Sequence, residues 1–91
     1  MPKYVIEREM PGVGNLTPAE LAEASQVSND VLTKLSPRVR WQQSYVTADK
    51  IFCVYHADDE DAVREHAEMA GFPANRINRV ATVIDPTTAE G

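Results

Sequence analysis

Strand-forming and helix-forming segments follow one another along this 91-residue chain in an order that few folds can accommodate. Four segments rich in β-branched and aromatic residues predict strands. They are residues 3–10, 39–47, 50–57 and 79–85. Helical spacing of small and apolar residues predicts one helix between the first two strands and another between the last two. The predicted order is therefore β-α-β-β-α-β.

Signals at the helix starts agree with this order. Thr17 is a favourable N-cap, Pro18 suits the first helical position, and Glu20 three residues after the cap completes a capping box. The second helix is expected to begin after Asp58 or Asp59, with acidic residues at its positive end.

This order is the split βαβ pattern of the ferredoxin-like fold. We expect an α+β sandwich in which a four-stranded antiparallel sheet carries both helices on one face. The whole chain, 1–91, is predicted to be a single ferredoxin-like domain, because its length leaves nothing for a second core. Residues 86–91 are expected to be a flexible tail.

The third predicted strand is apolar on both of its faces. Residues of both parities in Ile51–Tyr55 are apolar or aromatic, whereas a sheet with one wet face should alternate. Two helices can cover only one face. We therefore expect a second copy of the chain to cover the other face, sheet against sheet, as a homodimer.

If a tight turn at Ala48-Asp49 joins the second and third predicted strands, two residues lie opposite each other when their residue numbers add up to 97. The paired residues fall into two sets, one on each face of the sheet, and we expect the set with the bulkier side chains to face the helices. A shift of one residue in the register of a strand would move its side chains to the opposite face. The residues predicted to face the helices are Tyr4, Ile6, Trp41, Gln43, Tyr45, Phe52, Val54 and His56. Those predicted to line a cavity between two sheets are Glu7, Glu9, Gln42, Ser44, Cys53 and Tyr55. This set could ligate a metal or position a small polar molecule. Alternatively, Glu7 and Glu9 lie at a solvent-exposed edge, Cys53 is a small buried residue, and Tyr55 packs in the interior.

The two histidines have different predicted surroundings. His66 belongs to the inward stripe of the second helix, where it is either a hydrogen-bonded core residue or a ligand. His56 precedes the acidic run 58–61, and imidazole beside carboxylates suits a borderline metal. Helix capping and the helix dipole explain the same acidic run without a metal. Together with Glu7 and Cys53, both histidines are candidate metal ligands.

Charge and cysteine content exclude several classes of function. Nine Lys and Arg against fourteen Asp and Glu give a net charge of −5, which argues against nucleic-acid binding and against a polybasic membrane anchor. No apolar run reaches the ~18 residues of a membrane span. The first residues lack the apolar segment of a signal peptide, and a single cysteine cannot form an internal disulfide. We therefore expect a cytoplasmic location.

Three sequence blocks occur together: Trp41–Tyr45, Cys53–Tyr55 and Arg64–His66. In combination they resemble a small bacterial family, otherwise a domain of unknown function, that includes a nickel-responsive, nickel-binding protein. The resemblance extends from Val5–Arg8 to Val83–Pro86 and so covers nearly the whole chain.

The resemblance implies a ferredoxin-like protomer, a dimeric α/β barrel and binding of nickel or another divalent transition metal. It does not assign the ligands, and His56 lies outside the family pattern. The leading hypothesis is a small cytosolic homodimeric metal-binding protein. The alternative, by analogy of fold, is a dimeric-barrel enzyme of the cofactor-independent oxygenase or isomerase type, acting on a small molecule between the sheets. A cavity lined by Glu7 and His66 would favour the enzyme, and the absence of any cavity would favour an interaction module.

Overall fold

A computed structural model describes residues 1–91, and its elements follow the predicted order. Its four strands and two helices are β1 Lys3–Glu9, α1 Pro18–Leu35, β2 Val39–Val46, β3 Lys50–Ala57, α2 Glu60–Ala70 and β4 Arg76–Arg79. Short 3-10 turns lie at Val13–Asn15 and Pro86–Glu90. Neither helix combines the length and apolar character that crossing a membrane would require.

The strands form one antiparallel sheet in the order β2-β3-β1-β4. Both helices contribute to one buried cluster on one side of this sheet, where Val31 of α1 and Val63 of α2 join Ile6 and Tyr55. The predicted α+β, ferredoxin-like fold is confirmed. We call the covered side the helix face and the other side the open face. Residues of the open face include Val5, Glu7, Tyr45, Phe52, Val54 and His56.

The helices begin at the predicted caps. Thr17 Oγ1 accepts a hydrogen bond from the Glu20 N–H (N···O 3.2 Å), and Glu20 Oε1 accepts one from the Thr17 N–H (2.9 Å). The capping box therefore satisfies two backbone donors that α1 itself leaves without partners. Of the two candidate aspartates, Asp59 caps α2 by accepting from the Ala62 N–H at 2.8 Å. Gly71 ends α2 with a φ of 75°, a conformation that glycine adopts without strain.

The loop between β1 and α1 is fixed to the turn between β2 and β3. The Gly14 N–H donates to the Ala48 carbonyl at 3.0 Å, and the Gly12 N–H donates to Asp49 Oδ1 at 2.9 Å. A Cβ atom on Gly14 would lie 2.8 Å from the Thr47 carbonyl oxygen. Only glycine therefore allows the two backbone segments to approach this closely.

The fourth strand lies earlier in the chain than predicted. The sequence pattern indicates residues 79–85, whereas β4 is Arg76–Arg79. The length of the neighbouring strand explains the difference. The last residue of β4 pairs with Tyr4, and the following Val80 N–H donates to the Lys3 carbonyl at 2.8 Å. β1 begins at that point, so it offers no backbone partner to the apolar residues that follow.

The residues after β4 leave the sheet. Val83 and Ile84 are 66% and 74% exposed. Asp85 then accepts a hydrogen bond from the Thr87 N–H at 2.8 Å and begins the C-terminal 3-10 turn. An exposed apolar segment therefore extends from the edge of the sheet.

The pairing of β2 with β3 departs from the predicted register at one residue. Ser44 pairs with Cys53 as expected. A bulge at Gln42 then shifts the register, so that Trp41 pairs with Tyr55 rather than with His56. The bulge adds one residue to β2, which brings Trp41 to the helix face.

Pairing with β1 determines the faces of β3, and it reverses the prediction. Tyr4 pairs with Tyr55 and Ile6 with Cys53, and directly paired residues share a face of the sheet. All four are buried under the helices. The placement of Tyr4 and Ile6 is confirmed, whereas the predicted placement of Cys53 and Tyr55 in a cavity between sheets is wrong. The error came from assigning faces by side-chain bulk, since Cys53 leaves room for a closely packed helix.

Other predicted positions follow from the same reversal. Ser44 lies on the helix face, opposite to its predicted side. The residues predicted to face the helices that instead lie on the open face are Gln43, Tyr45, Phe52, Val54 and His56. The apolar residues of both parities in β3 are thus divided between a helix-covered side and a side that carries no helix.

Removing the α1 cap should weaken the fold measurably. Thr17→Ala abolishes one half of the capping box, so we expect the free energy of unfolding in a denaturant titration to fall by about 1 kcal/mol. Thr87→Ala serves as the control, because Thr87 belongs to an exposed turn without buried residues. Equal losses in the two variants would contradict the role of the cap.

Candidate functional site

The structure divides the predicted site residues between the two faces of the sheet. Those on the helix face are Ser44, Cys53, Tyr55 and His66, and those on the open face are Glu7, Glu9 and His56. No three or more His, Cys, Asp or Glu side chains come together in an arrangement that could hold a metal ion. The four predicted ligands therefore do not form one site within this chain.

Glu7 forms the centre of a small ion-pair group on the open face. Its Oε1 accepts from Lys50 Nζ at 2.8 Å, and its Oε2 lies 4.0 Å from Arg76 Nε. The hydrogen bond from Lys50 is the main reason that the pKa of the Glu7 carboxyl lies below its ordinary value. Glu9, two residues further along and the last residue of β1, is exposed.

His56 lies near the opposite end of the open face. One ring nitrogen, Nε2, is 2.8 Å from Oε1 of Gln42, the residue at the β2 bulge. The ring also lines a shallow surface pocket with Asp58 and Arg40. His56 and Asp58 thus present an imidazole and a carboxylate to the same part of the surface.

His66 lies in the core between the two helices and the sheet. It is fully buried, its Nε2 is 3.1 Å from Ser28 Oγ, and its ring centre is 5.1 Å from that of Tyr55. Its Nδ1 has no hydrogen-bond partner. Burial, together with the nearby positive charge of Arg8, lowers the pKa of His66 to about 4. The imidazole is therefore neutral at physiological pH.

Cys53 and Tyr55 follow each other along the helix face of β3. Cys53 is 5% exposed, which agrees with the interpretation of this residue as a small buried thiol. Burial is the main cause that raises the pKa of the Tyr55 hydroxyl above its ordinary value. The phenol consequently keeps its proton and remains a hydrogen-bond donor.

A cavity of about 100 Å³ opens between the first half of α1 and the helix face of β2 and β3. Most of its lining is apolar, contributed by the β1–α1 loop, α1, β2, β3 and Phe72. The polar lining residues are Arg8, Ser25, Ser28, Ser44, Cys53 and Tyr55. Neither Glu7 nor His66 lines it, so it is not the cavity that would have favoured the enzyme hypothesis.

Arg8 is the site residue that the sequence reasoning missed. It is 2% exposed, and none of its three guanidinium nitrogens has a hydrogen-bond partner. Its guanidinium carbon lies 5.7 Å from the ring centre of Tyr55 and 5.8 Å from that of Phe72. A signal was present, because Arg8 has the same parity as Tyr4 and Ile6, which were placed correctly under the helices.

Comparison with known proteins agrees with the fold and with the family resemblance. The family described as nickel responsive protein SCO4226-like matches residues 4–80. The chain belongs to this family. The crystal structure of SCO4226 from Streptomyces coelicolor A3(2) is similar with a TM-score of 0.76 and 22% sequence identity, covering 90% of this chain and 99% of that chain. At this identity the likeness shows the fold alone. None of the curated proteins compared with the chain matches it.

The neutral state of His66 predicts acid sensitivity. Folded His66 resists a proton down to a pKa of about 4, whereas the unfolded residue takes one up near 6.5. The contribution to stability is therefore fully present above pH 6.5 and is lost as the pH falls towards 4. At about 1.4 kcal/mol per pKa unit, we expect a loss of up to about 3 kcal/mol.

Denaturant titrations between pH 7 and 4 measure this loss. His66→Gln retains a side-chain partner for Ser28 but does not titrate, so its stability should decline less over the same range. Parallel curves for the two proteins would contradict the burial of a neutral His66.

Proposed function

We propose that the protein is a cytoplasmic, homodimeric nickel-binding protein. The observation that carries this proposal is the match of residues 4–80 to the nickel-responsive family. Nickel is the first metal to test, although Cu(II) and Zn(II) suit the same donors. Imidazole and carboxylate ligands favour these ions over Mg(II).

His56 is our principal candidate ligand, and because it lies outside the family pattern, a site built on it would be particular to this chain. Its ring is only part-buried, and Asp58 adds a carboxylate to the same pocket. Arg40 lines this pocket too, and its positive charge opposes the binding of a cation. Of the other predicted ligands, Glu7 is accessible on the open face, where Lys50 competes for its carboxylate.

Cys53 and His66 are weaker candidates. Both are buried on the helix face: Cys53 lines the largely apolar cavity beneath α1, and His66 is enclosed between the helices and the sheet. Their surroundings support a core role: Cys53 belongs to the apolar cluster, and His66 is held by Ser28.

The apolar surface supports the homodimer. Val5 and Phe52 are only part-buried on the open face, and Tyr45 beside them is 56% exposed. The extended segment after β4 presents Val83 and Ile84 as well. A second copy of the chain, packed sheet against sheet, would cover the open face, and the extended segment could contact the partner.

Nickel titration of chelator-treated protein without a histidine tag tests the metal proposal. We expect calorimetry to show saturable nickel binding. His56→Ala should abolish this binding and His66→Gln should retain it, because His56 is the accessible one of the two histidines. Arg40→Ala should bind nickel more tightly, since it removes a positive charge from the pocket. Failure of the wild-type protein to bind nickel would overturn the proposal. Unchanged affinity in His56→Ala would overturn the choice of ligand.

Light scattering tests the dimer. We expect a mass of about twice 10.1 kDa at micromolar concentration. Phe52→Glu should shift it towards the monomer, because it would bury a carboxylate at the centre of the interface. Met69→Glu is the matched control, since Met69 is exposed on α2, away from the open face. A wild-type monomer, or dissociation by both variants alike, would contradict the proposed interface.

A further inference from the structure

Arg8 is a buried positive charge without a counterion in this chain. Its side chain is 2% exposed, and its Nε, Nη1 and Nη2 all lack an acceptor. A guanidinium cannot shed its proton under physiological conditions, so the charge cannot be neutralised by titration. A buried charge that is neither paired nor hydrogen-bonded is strongly unfavourable.

The aromatic rings near Arg8 compensate for only part of this cost. The ring centres of Tyr55 and Phe72 lie 5.7 and 5.8 Å from the guanidinium carbon. The ring faces attract the cation, but they do not replace hydrogen-bond acceptors for its N–H groups. The five N–H donors of the guanidinium therefore remain available to an acceptor. Their planar arrangement matches best the geometry of two parallel hydrogen bonds to a carboxylate.

Arg8 also lines the cavity between α1 and the sheet, and it is the one charged residue among those that line it. The remaining lining is largely apolar, including Leu16, Leu21 and Ile51. The volume of about 100 Å³ is smaller than the ~150 Å³ of an apolar cavity that holds benzene, but this cavity opens at one side, which leaves room for a small ring. The occupant should therefore combine one negative charge with a small apolar body.

We propose that this cavity binds a small monocarboxylate, with the carboxylate paired to the Arg8 guanidinium and the apolar part lying between α1 and the helix face of the sheet. The Tyr55 hydroxyl and Ser28, which also line the cavity, are neutral hydrogen-bond partners for the same ligand. A phosphate dianion fits less well, because a second negative charge would meet no second cation there.

The test uses benzoate, with benzamide as its neutral analogue of the same shape. Trp41 is the single tryptophan and lines the cavity, where its Nε1 donates to Ser44 Oγ at 2.9 Å. We expect benzoate, but not benzamide, to change its fluorescence saturably and to raise the melting temperature. Chelator-treated protein is used, so the result is independent of nickel binding.

Two variants assign the binding to this cavity. Arg8→Met should weaken benzoate binding roughly ten- to a hundredfold. Its melting temperature without benzoate should equal or exceed that of the wild type, because a buried unpaired charge is replaced by an apolar chain. Ala24→Leu retains Arg8 but fills the cavity from α1, and it should also abolish binding. Arg79→Met, at an exposed residue of β4, is the control that should bind benzoate normally.

Binding that persists in both Arg8→Met and Ala24→Leu, or equal binding of benzamide, would overturn the proposal. The same would follow if benzoate had no effect on the wild type. If chloride or phosphate at equal concentration reproduces the effect with the same dependence on Arg8, the site accepts inorganic anions, and the assignment to carboxylates is wrong.

Discussion

The pairing of β1 with β3 is the constraint on which the rest of the structure depends. These are the two central strands of the sheet, and their register sets which side chains point towards the helices. Because side chains alternate strictly along a strand, the pairing of Ile6 with Cys53 also fixes Tyr55 and Arg8 on the helix face. The core, the cavity and the buried charge all follow from this one register.

The fold could be predicted because its signals are local. The capping box at Thr17, the aspartate at 59 and the glycine at 71 each mark a helix end through the chemistry of a few neighbouring residues. The order of elements then leaves few topologies to choose from. The bounds of β4 could not be predicted in this way, because they depend on where β1, more than seventy positions away, begins.

The candidate site was harder to predict for a related reason. Its residues are placed by parity across strands, and parity is a property of the whole sheet. Ser44 and Tyr45 therefore lie on the sides opposite to those predicted, whereas Trp41 lies on the predicted helix face only because of the bulge at Gln42, which nothing in the local sequence of β2 marks. For Arg8 the difficulty is different, because the local pattern does indicate its position but residue type contradicts it. Alternation with Tyr4 and Ile6 indicates its burial, but the usual exposure of arginine argues against taking that indication literally.

The close approach at Gly14 has a consequence for how the cavity exchanges its contents. The β1–α1 loop supplies Val13 and Leu16 to the cavity wall, and its backbone is hydrogen-bonded to the β2–β3 turn at Ala48. The wall and the tip of the hairpin are therefore mechanically one unit, although some thirty residues separate them in the chain. Any widening of the cavity on this side must break those backbone bonds or carry the hairpin tip along with the loop. Entry of a molecule that required such widening would be controlled at the turn, by residues that do not line the cavity.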